Sequence, residues 1–397
     1  MRPFYRNICP NNRRQTAAFL WLLSFVFVAW SPAGVRAADE NAHSVPLFDD
    51  GVMIRVPVSA FGKTLYFLLD SGFTCSALDT RYEPFLGESI DTYRGDSPLG
   101  TASSLPVFPG PRLSLAAKPL RLDKVVCLDL QLPRLITGHS CDGVLGMDFL
   151  SQSIVSLDFD KEIMYLDGTV PHDLKENFTA VPLKRSSIYY SVDVMVDHSR
   201  PLTLMVDTGD NSSISLNATD WQSVFGSNTA TGITATVGDV ANQIKPSKIG
   251  VIENLTIGGL RYTNLHATFI GNPRSPSHLG LGFFKRHEVT FDFPNKMLYL
   301  KPGERFALAD KEDMSGLHLL REGDMTVVYS VDTESPADHC GVKPEDVILS
   351  LNGQNASTLT MRSIRRVLKS AAGEKIALEI KRRDKVLKMA FTLKNAI

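Results

Sequence analysis

Two stretches of the chain read almost as copies. Phe67-Leu68-Leu69-Asp70-Ser71-Gly72 is followed, much later, by Leu204-Met205-Val206-Asp207-Thr208-Gly209. Each is an apolar run that ends in a carboxylate, a hydroxyl residue and a glycine. An apolar approach is an unfavourable place for a charge, because desolvation disfavours the ionised form. Two such carboxylates on matching strands suggest a pair that shares one proton.

The duplication reaches beyond the two aspartates. Val45-Pro46-Leu47 stands upstream of Asp70 at nearly the spacing by which Val181-Pro182-Leu183 stands upstream of Asp207. Downstream, Val144-Leu145-Gly146 is matched to Gly280-Leu281-Gly282. Ser156-Leu157-Asp158-Phe159 with Met164-Tyr165-Leu166 recurs as Thr290-Phe291-Asp292-Phe293 with Leu298-Tyr299-Leu300. Two long copies are too few for a solenoid and fit two lobes. Short runs rich in Val, Ile, Leu, Tyr and Thr, broken by Gly, Pro, Asn and Asp, make each copy mostly β. Strands are expected over 188–196, 122–130 and 261–269, and a linker between the lobes over 170–178.

After Pro302 the pattern changes. A polar stretch at Lys311-Glu312-Asp313 leads to a third module with strands and one amphipathic helix from Met361 to Ser370, ended by Gly373. The expected organisation is a leader at 1–37, an N-terminal lobe at 44–170, a C-terminal lobe at 178–302 and a small α+β module at 315–395.

The leader has a positive start (Arg2, Arg6, Arg13, Arg14), an apolar run from Ala17 to Trp30, and small residues around Val35-Arg36-Ala37. That is the pattern of an export signal, too short to span a bilayer comfortably. The mature chain is therefore expected to be exported, periplasmic or extracellular, with no membrane span. Formal net charge is −1, with 42 Lys and Arg against 43 Asp and Glu, so no global field attracts nucleic acid. Of five cysteines, Cys9 lies in the leader. Cys75, Cys127, Cys141 and Cys340 allow bridges in an oxidising compartment, with Cys127–Cys141 one option and buried free thiols the other. No zinc-type spacing occurs, and no metal or organic cofactor is expected.

Asp-[Ser/Thr]-Gly behind an apolar strand, followed by a downstream apolar-apolar-Gly segment, resembles the pattern of aspartic proteases. It occurs twice here, over about 44–302, and Asp142 to Leu150 closely resembles the second motif of bacterial retropepsin-like members. The resemblance implies a two-lobed, pepsin-type β-barrel body with Asp70 and Asp207 as the catalytic pair. Ser71 and Thr208 would cross-link the two turns, Gly72 and Gly209 would permit them, and Gly146 and Gly282 would pass beneath. Tyr93 is a candidate for the flap over bound peptide. Phe73, and Asp210 beside the second copy, depart from the usual pattern.

Residues 315–395 resemble a PDZ domain through Ser335-Pro336-Ala337, Cys340-Gly341-Val342, Glu345-Asp346-Val347-Ile348 and Asn352-Gly353. The resemblance implies that a polypeptide or peptide C-terminus adds as a strand beside Gly316, Leu317, His318 and Leu319, against Ile364 and Leu368. The implied activity is peptide-bond hydrolysis. The competing reading is an inactive acid-protease-like scaffold whose PDZ module binds peptides, motivated by Phe73, Asp210 and a shortened carboxylate-binding loop.

Overall fold

The computed structural model describes residues 43–96, 102–166, 177–187, 189–197, 199–226, 233–238 and 244–395. The expected leader, and all but the end of the expected linker, lie outside them.

Each lobe is built on a hairpin that delivers an aspartate. In the first, Ile54–Ala60 turns at Phe61 and Gly62, both at positive φ, into Lys63–Leu69. In the second, Tyr189–Val196 turns into Arg200–Asp207. Tyr190, Val192, Val194 and Val196 point inward, while Asp193 and Met195 between them are exposed. This strand starts one residue inside the expected one, because Ile188 is outside the described residues.

Near each aspartate the alternation disappears. Phe67, Leu68 and Leu69 are all buried, as are Leu204, Met205 and Val206. The reason is a parallel neighbour that covers these strand ends. Gly143–Leu145 runs beside Lys63–Leu69 with Leu145 opposite Leu69. His278–Gly280 runs beside Arg200–Asp207 with Gly280 opposite Asp207. Strands enclosed in this way read as continuous apolar runs.

A six-stranded antiparallel sheet joins the lobes. Its order is His43–Pro46, Ile163–Leu166, Ile154–Asp158, His287–Asp292, Met297–Pro302 and Thr179–Pro182. The sequence repeat is read directly in it, since each lobe contributes the same three strands in mirrored order. At the centre Ser156 faces Thr290, and their hydroxyls are 2.7 Å apart. The repeated Asp-Phe pairs close the hairpins. Asp158 accepts the Lys161 N–H and Asp292 the Asn295 N–H, while Phe159 and Phe293 are buried beneath.

The C-terminal module has its own sheet, ordered Leu317–Glu322, Met325–Val331, Val347–Leu351, Lys375–Arg382 and Lys385–Thr392, with the short Gln354–Asn355 alongside. The helix Met361–Leu368 is N-capped by Thr360 and buries Met361, Ile364 and Leu368. Its core is separate from that of the lobes. The module is fixed to the body by Arg362, which reaches the Asp49 carbonyl at 2.8 Å and Glu162 at 3.1 Å. Arg365 also donates to the carbonyl of Ile136.

All four cysteines among the described residues are free thiols, and Cys75, Cys127 and Cys141 are buried. The Cys127–Cys141 bridge is not formed. Burial pushes the Cys127 thiol up to about 12 and Cys141 up to about 11.

Candidate active site

The two Asp-hydroxyl-Gly turns meet where the lobes meet. Their reciprocal hydrogen bonds follow from the residue types. The Ser71 N–H donates to the Thr208 hydroxyl oxygen at 3.0 Å, and the Thr208 N–H donates to Ser71 Oγ at 3.0 Å. Each hydroxyl then donates to the opposite strand: Ser71 to the Val206 carbonyl and Thr208 to that of Leu69, both at 2.9 Å. All four groups are buried, so this lattice holds the two turns in register without solvent competition.

The glycines bring the carboxylates together. A Cβ at Gly72 would lie 2.6 Å from the Asp207 carboxylate, and one at Gly209 would lie 2.4 Å from the Asp70 carboxyl carbon. Each aspartate therefore lies over the other's glycine. The Gly72 N–H donates to Asp70 Oδ1 and the Gly209 N–H to Asp207 Oδ1, both at 2.9 Å. The two aspartates are only 8% and 6% exposed. Burial first, and then the neighbouring Asp207 charge, push Asp70 up to about 8. Two close carboxylates cannot both ionise readily, so the pair retains one proton across most of the pH range.

Gly146 passes beneath the first turn, where a Cβ would meet the carbonyl oxygens of Cys75 at 2.6 Å and Phe73 at 2.8 Å. Its counterpart corrects one expectation. Gly280, not Gly282, stands opposite Asp207, and a Cβ there would meet the carbonyl oxygens of Ser212 at 2.3 Å and Asp210 at 2.8 Å. Gly282 lies two residues further on, against Ser212 and Ser213. The true repeat of Val144-Leu145-Gly146 is thus His278-Leu279-Gly280. The two alternating glycines of Gly280-Leu281-Gly282 hid a shift of two residues.

That shift concealed His278. It is 3% exposed, and its Nδ1 lies 3.1 Å from Asp207 Oδ2 and 3.3 Å from Asp210 Oδ2. Burial disfavours the imidazolium, but Asp210, Asp207 and Asp70 more than reverse this, so its pKa is raised. For Asp210, burial is likewise outweighed by His278, the Ser215 side chain and the Ser212 N–H, which lowers its pKa. Asp207 is raised by burial, with His278 pulling against that. Asp207, Asp210 and His278 present three ligand-type atoms within 4.8 Å of one another. The imidazole Nδ1 is already within hydrogen-bond distance of both carboxylates, which is the geometry of an ion-paired cluster.

Phe73 packs within the N-terminal lobe. Its ring is half-buried against the cluster of Leu68, Cys75, Val107 and Val144, 6.5 Å from the Tyr93 ring centroid. Tyr93 stands on the hairpin of Asp91–Asp96 and Ala102–Pro109, and its hydroxyl is 3.1 Å from that of Thr74. Residues 97–101 at the tip are outside the described ones. Tyr189 adds a second phenol near the pair, raised by burial and by Tyr93, Asp207 and Asp70.

The residues expected beside a bound peptide lie within the packing of the C-terminal module. Leu317, Leu319, Ile364 and Leu368 are buried in that module's own core. His318 Nε2 is 2.8 Å from Asp332, and Gly316 turns at φ +76 against Ser335. The helix Gln131–Thr137 of the N-terminal lobe packs on both Leu317–Glu322 and Met361–Leu368. Its terminating Gly138 fits between Arg321 and Met361, where a Cβ would lie 3.1–3.2 Å from their side chains. The helix Gln131–Thr137 thus lies against both the strand and the helix that would frame a peptide groove.

The aspartyl protease family matches residues 192–283 and the PDZ domain family residues 327–382. Among curated proteins, none matches this sequence. Among solved structures, the chain is similar to basic 7S globulin from soybean (12% identity, TM-score 0.42, covering 66% of this chain and 95% of that one). It is also similar to an aspartic proteinase from Irpex lacteus (16% identity, TM-score 0.42, covering 66% and 98%). By the two family matches and its strand content, the chain joins a mostly β, aspartyl-protease-like body to a C-terminal PDZ domain.

Proposed function

We propose that the protein is an exported aspartic endopeptidase that cleaves polypeptides with Asp70, Asp207 and a water between them. One observation carries the reading: each carboxylate lies over the glycine of the opposite turn, and reciprocal Ser71 and Thr208 hydrogen bonds fix the pair. The ionised carboxylate takes a proton from water as it attacks the scissile carbonyl. The protonated one hydrogen-bonds that carbonyl oxygen, stabilises the developing charge and then supplies a proton as the amine leaves. Burial strengthens both interactions.

Tyr93 and Tyr189 flank the substrate channel, with the Tyr93 hairpin as its cover. The scaffold alternative requires an open PDZ groove, and the packing of Gln131–Thr137 against that groove weighs against it. Export rests on the leader sequence alone, and N-terminal sequencing of the secreted chain tests it. For the activity, the assay is cleavage of an unfolded protein between pH 4 and 8. Asp70→Asn and Asp207→Asn are each expected to abolish it while leaving the fold intact. Retention of activity by either variant refutes the mechanism.

A further inference from the structure

The two halves treat one pair of equivalent positions in opposite ways. Phe73 and Asp210 follow their aspartates at the same step, and Val144 and His278 occupy the same register on the parallel neighbour strand. In the N-terminal lobe the pair is apolar, with Phe73 packed on the cluster that contains Val144. In the C-terminal lobe it is the buried His278 with Asp210, whose side chain is 13% exposed, an acid and a base in contact. Replacing a buried ion pair by apolar groups is often neutral or stabilising, and the first lobe demonstrates that the apolar arrangement fits this fold. Stability alone therefore does not account for the charged version.

What the charged pair changes is the symmetry of the dyad. The Asp70 side chain accepts the Gly72 N–H at 2.9 Å. The Asp207 side chain accepts the Gly209 N–H at 2.9 Å and the Asp210 N–H at 3.2 Å on Oδ1, and faces His278 at 3.1 Å on Oδ2. Asp210 is itself held by the Ser212 N–H at 2.9 Å and by Ser215, so it keeps the imidazole ring aimed at Asp207. The titratable groups facing His278 are Asp207 and Asp210 from its own lobe and Asp70 from the other.

We propose that His278 is a positioning residue of the protease reaction: as an imidazolium hydrogen-bonded to Asp210, it sets a positive charge 3.1 Å from Asp207 Oδ2, making Asp207 the ionised, water-activating carboxylate and Asp70 the proton carrier. The inference rests on the protease reading but is separable from it. With His278 neutral or absent, Asp210 becomes an uncompensated charge beside Asp207, which then holds its proton to higher pH.

The test combines kinetics and spectroscopy on the full chain. In His278→Gln the acidic limb of the kcat–pH profile is expected to move up by about one unit or more. At pH 5 kcat falls about tenfold per unit, with KM unchanged because His278 does not contact substrate. The double variant Asp210→Asn/His278→Gln removes the stranded charge and is expected to move the limb back. In the wild-type chain, imidazole NMR shifts are expected to show His278 still mostly charged at pH 6.5, the ordinary imidazole midpoint.

An unchanged profile in a folded His278→Gln overturns the proposal and leaves the protease reading standing. A mostly neutral His278 at pH 6.5 overturns it as well, even if the variants fail to fold. Absence of cleavage by the wild type at every pH defeats the protease reading, and the NMR titration then decides whether His278 carries the charge assigned to it.

Discussion

Replacing Thr208 with Val keeps the shape of the side chain and removes only its hydroxyl. Two buried groups lose their partner: the Ser71 N–H, 3.0 Å from Oγ1, and the Leu69 carbonyl, 2.9 Å away. Each unsatisfied buried group costs about 1–3 kcal/mol, and no cavity is opened. The expected loss is therefore about 2–6 kcal/mol, a large fraction of the roughly 5–15 kcal/mol typical of a folded domain. Urea denaturation followed by near-ultraviolet circular dichroism measures it. Ser71→Ala is the mirror perturbation, and the double variant should fall short of the sum because both act on one lattice. Cleavage should drop with stability, since the two turns carry the dyad. A Thr208→Val loss below about 0.5 kcal/mol, within the range of ordinary surface substitutions, would refute the claim that these hydroxyls clamp the lobes.

Other consequences are equally direct. Gly209→Ala places a methyl 2.4 Å from the Asp70 carboxyl carbon and Gly72→Ala one 2.6 Å from Asp207. Both should abolish cleavage in assays where a surface Gly→Ala control does not. Folded Asp70 holds its proton up to about 8, against an ordinary value of 3.8. Between those values the folded state binds more protons than the unfolded one, so Asp70's contribution to stability declines as pH rises. Asp70→Asn should flatten that part of the curve of urea midpoint against pH. Gly138→Val combines a positive φ with close contact to Arg321 and Met361. It should loosen the PDZ domain from the body, seen as faster limited proteolysis between them and as binding of C-terminal peptides that the unaltered chain does not bind.

Much of the architecture was legible because the chain repeats itself. The apolar approaches to Asp70 and Asp207, and the repeated Asp-Phe hairpins, expose the two lobes without any tertiary information. The amphipathic spacing of Met361, Ile364 and Leu368 likewise places the PDZ helix. The second downstream motif was misread because glycines at 280 and 282 satisfy the same short pattern. Only strand register, with Gly280 opposite Asp207, separates them.

His278 was invisible for a related reason. A histidine in an otherwise apolar segment carries no local signal, and its partners Asp207 and Asp210 lie far away in sequence. The PDZ residues carry a different ambiguity: Leu319 and Ile364 have the composition of a peptide groove and of a core alike, and the helix Gln131–Thr137 that packs on their elements belongs to another domain.

The account depends on two carboxylates that titrate as one unit. Carbon-13 NMR of aspartate-labelled protein, recorded across pH 3–10 on the wild-type chain and on Asp207→Asn, measures this directly. The expected result is a widely split pair of steps with the upper one near 8, falling when Asp207 is neutralised. Two independent titrations near the ordinary carboxylate value of about 4, indifferent to that substitution, would contradict it.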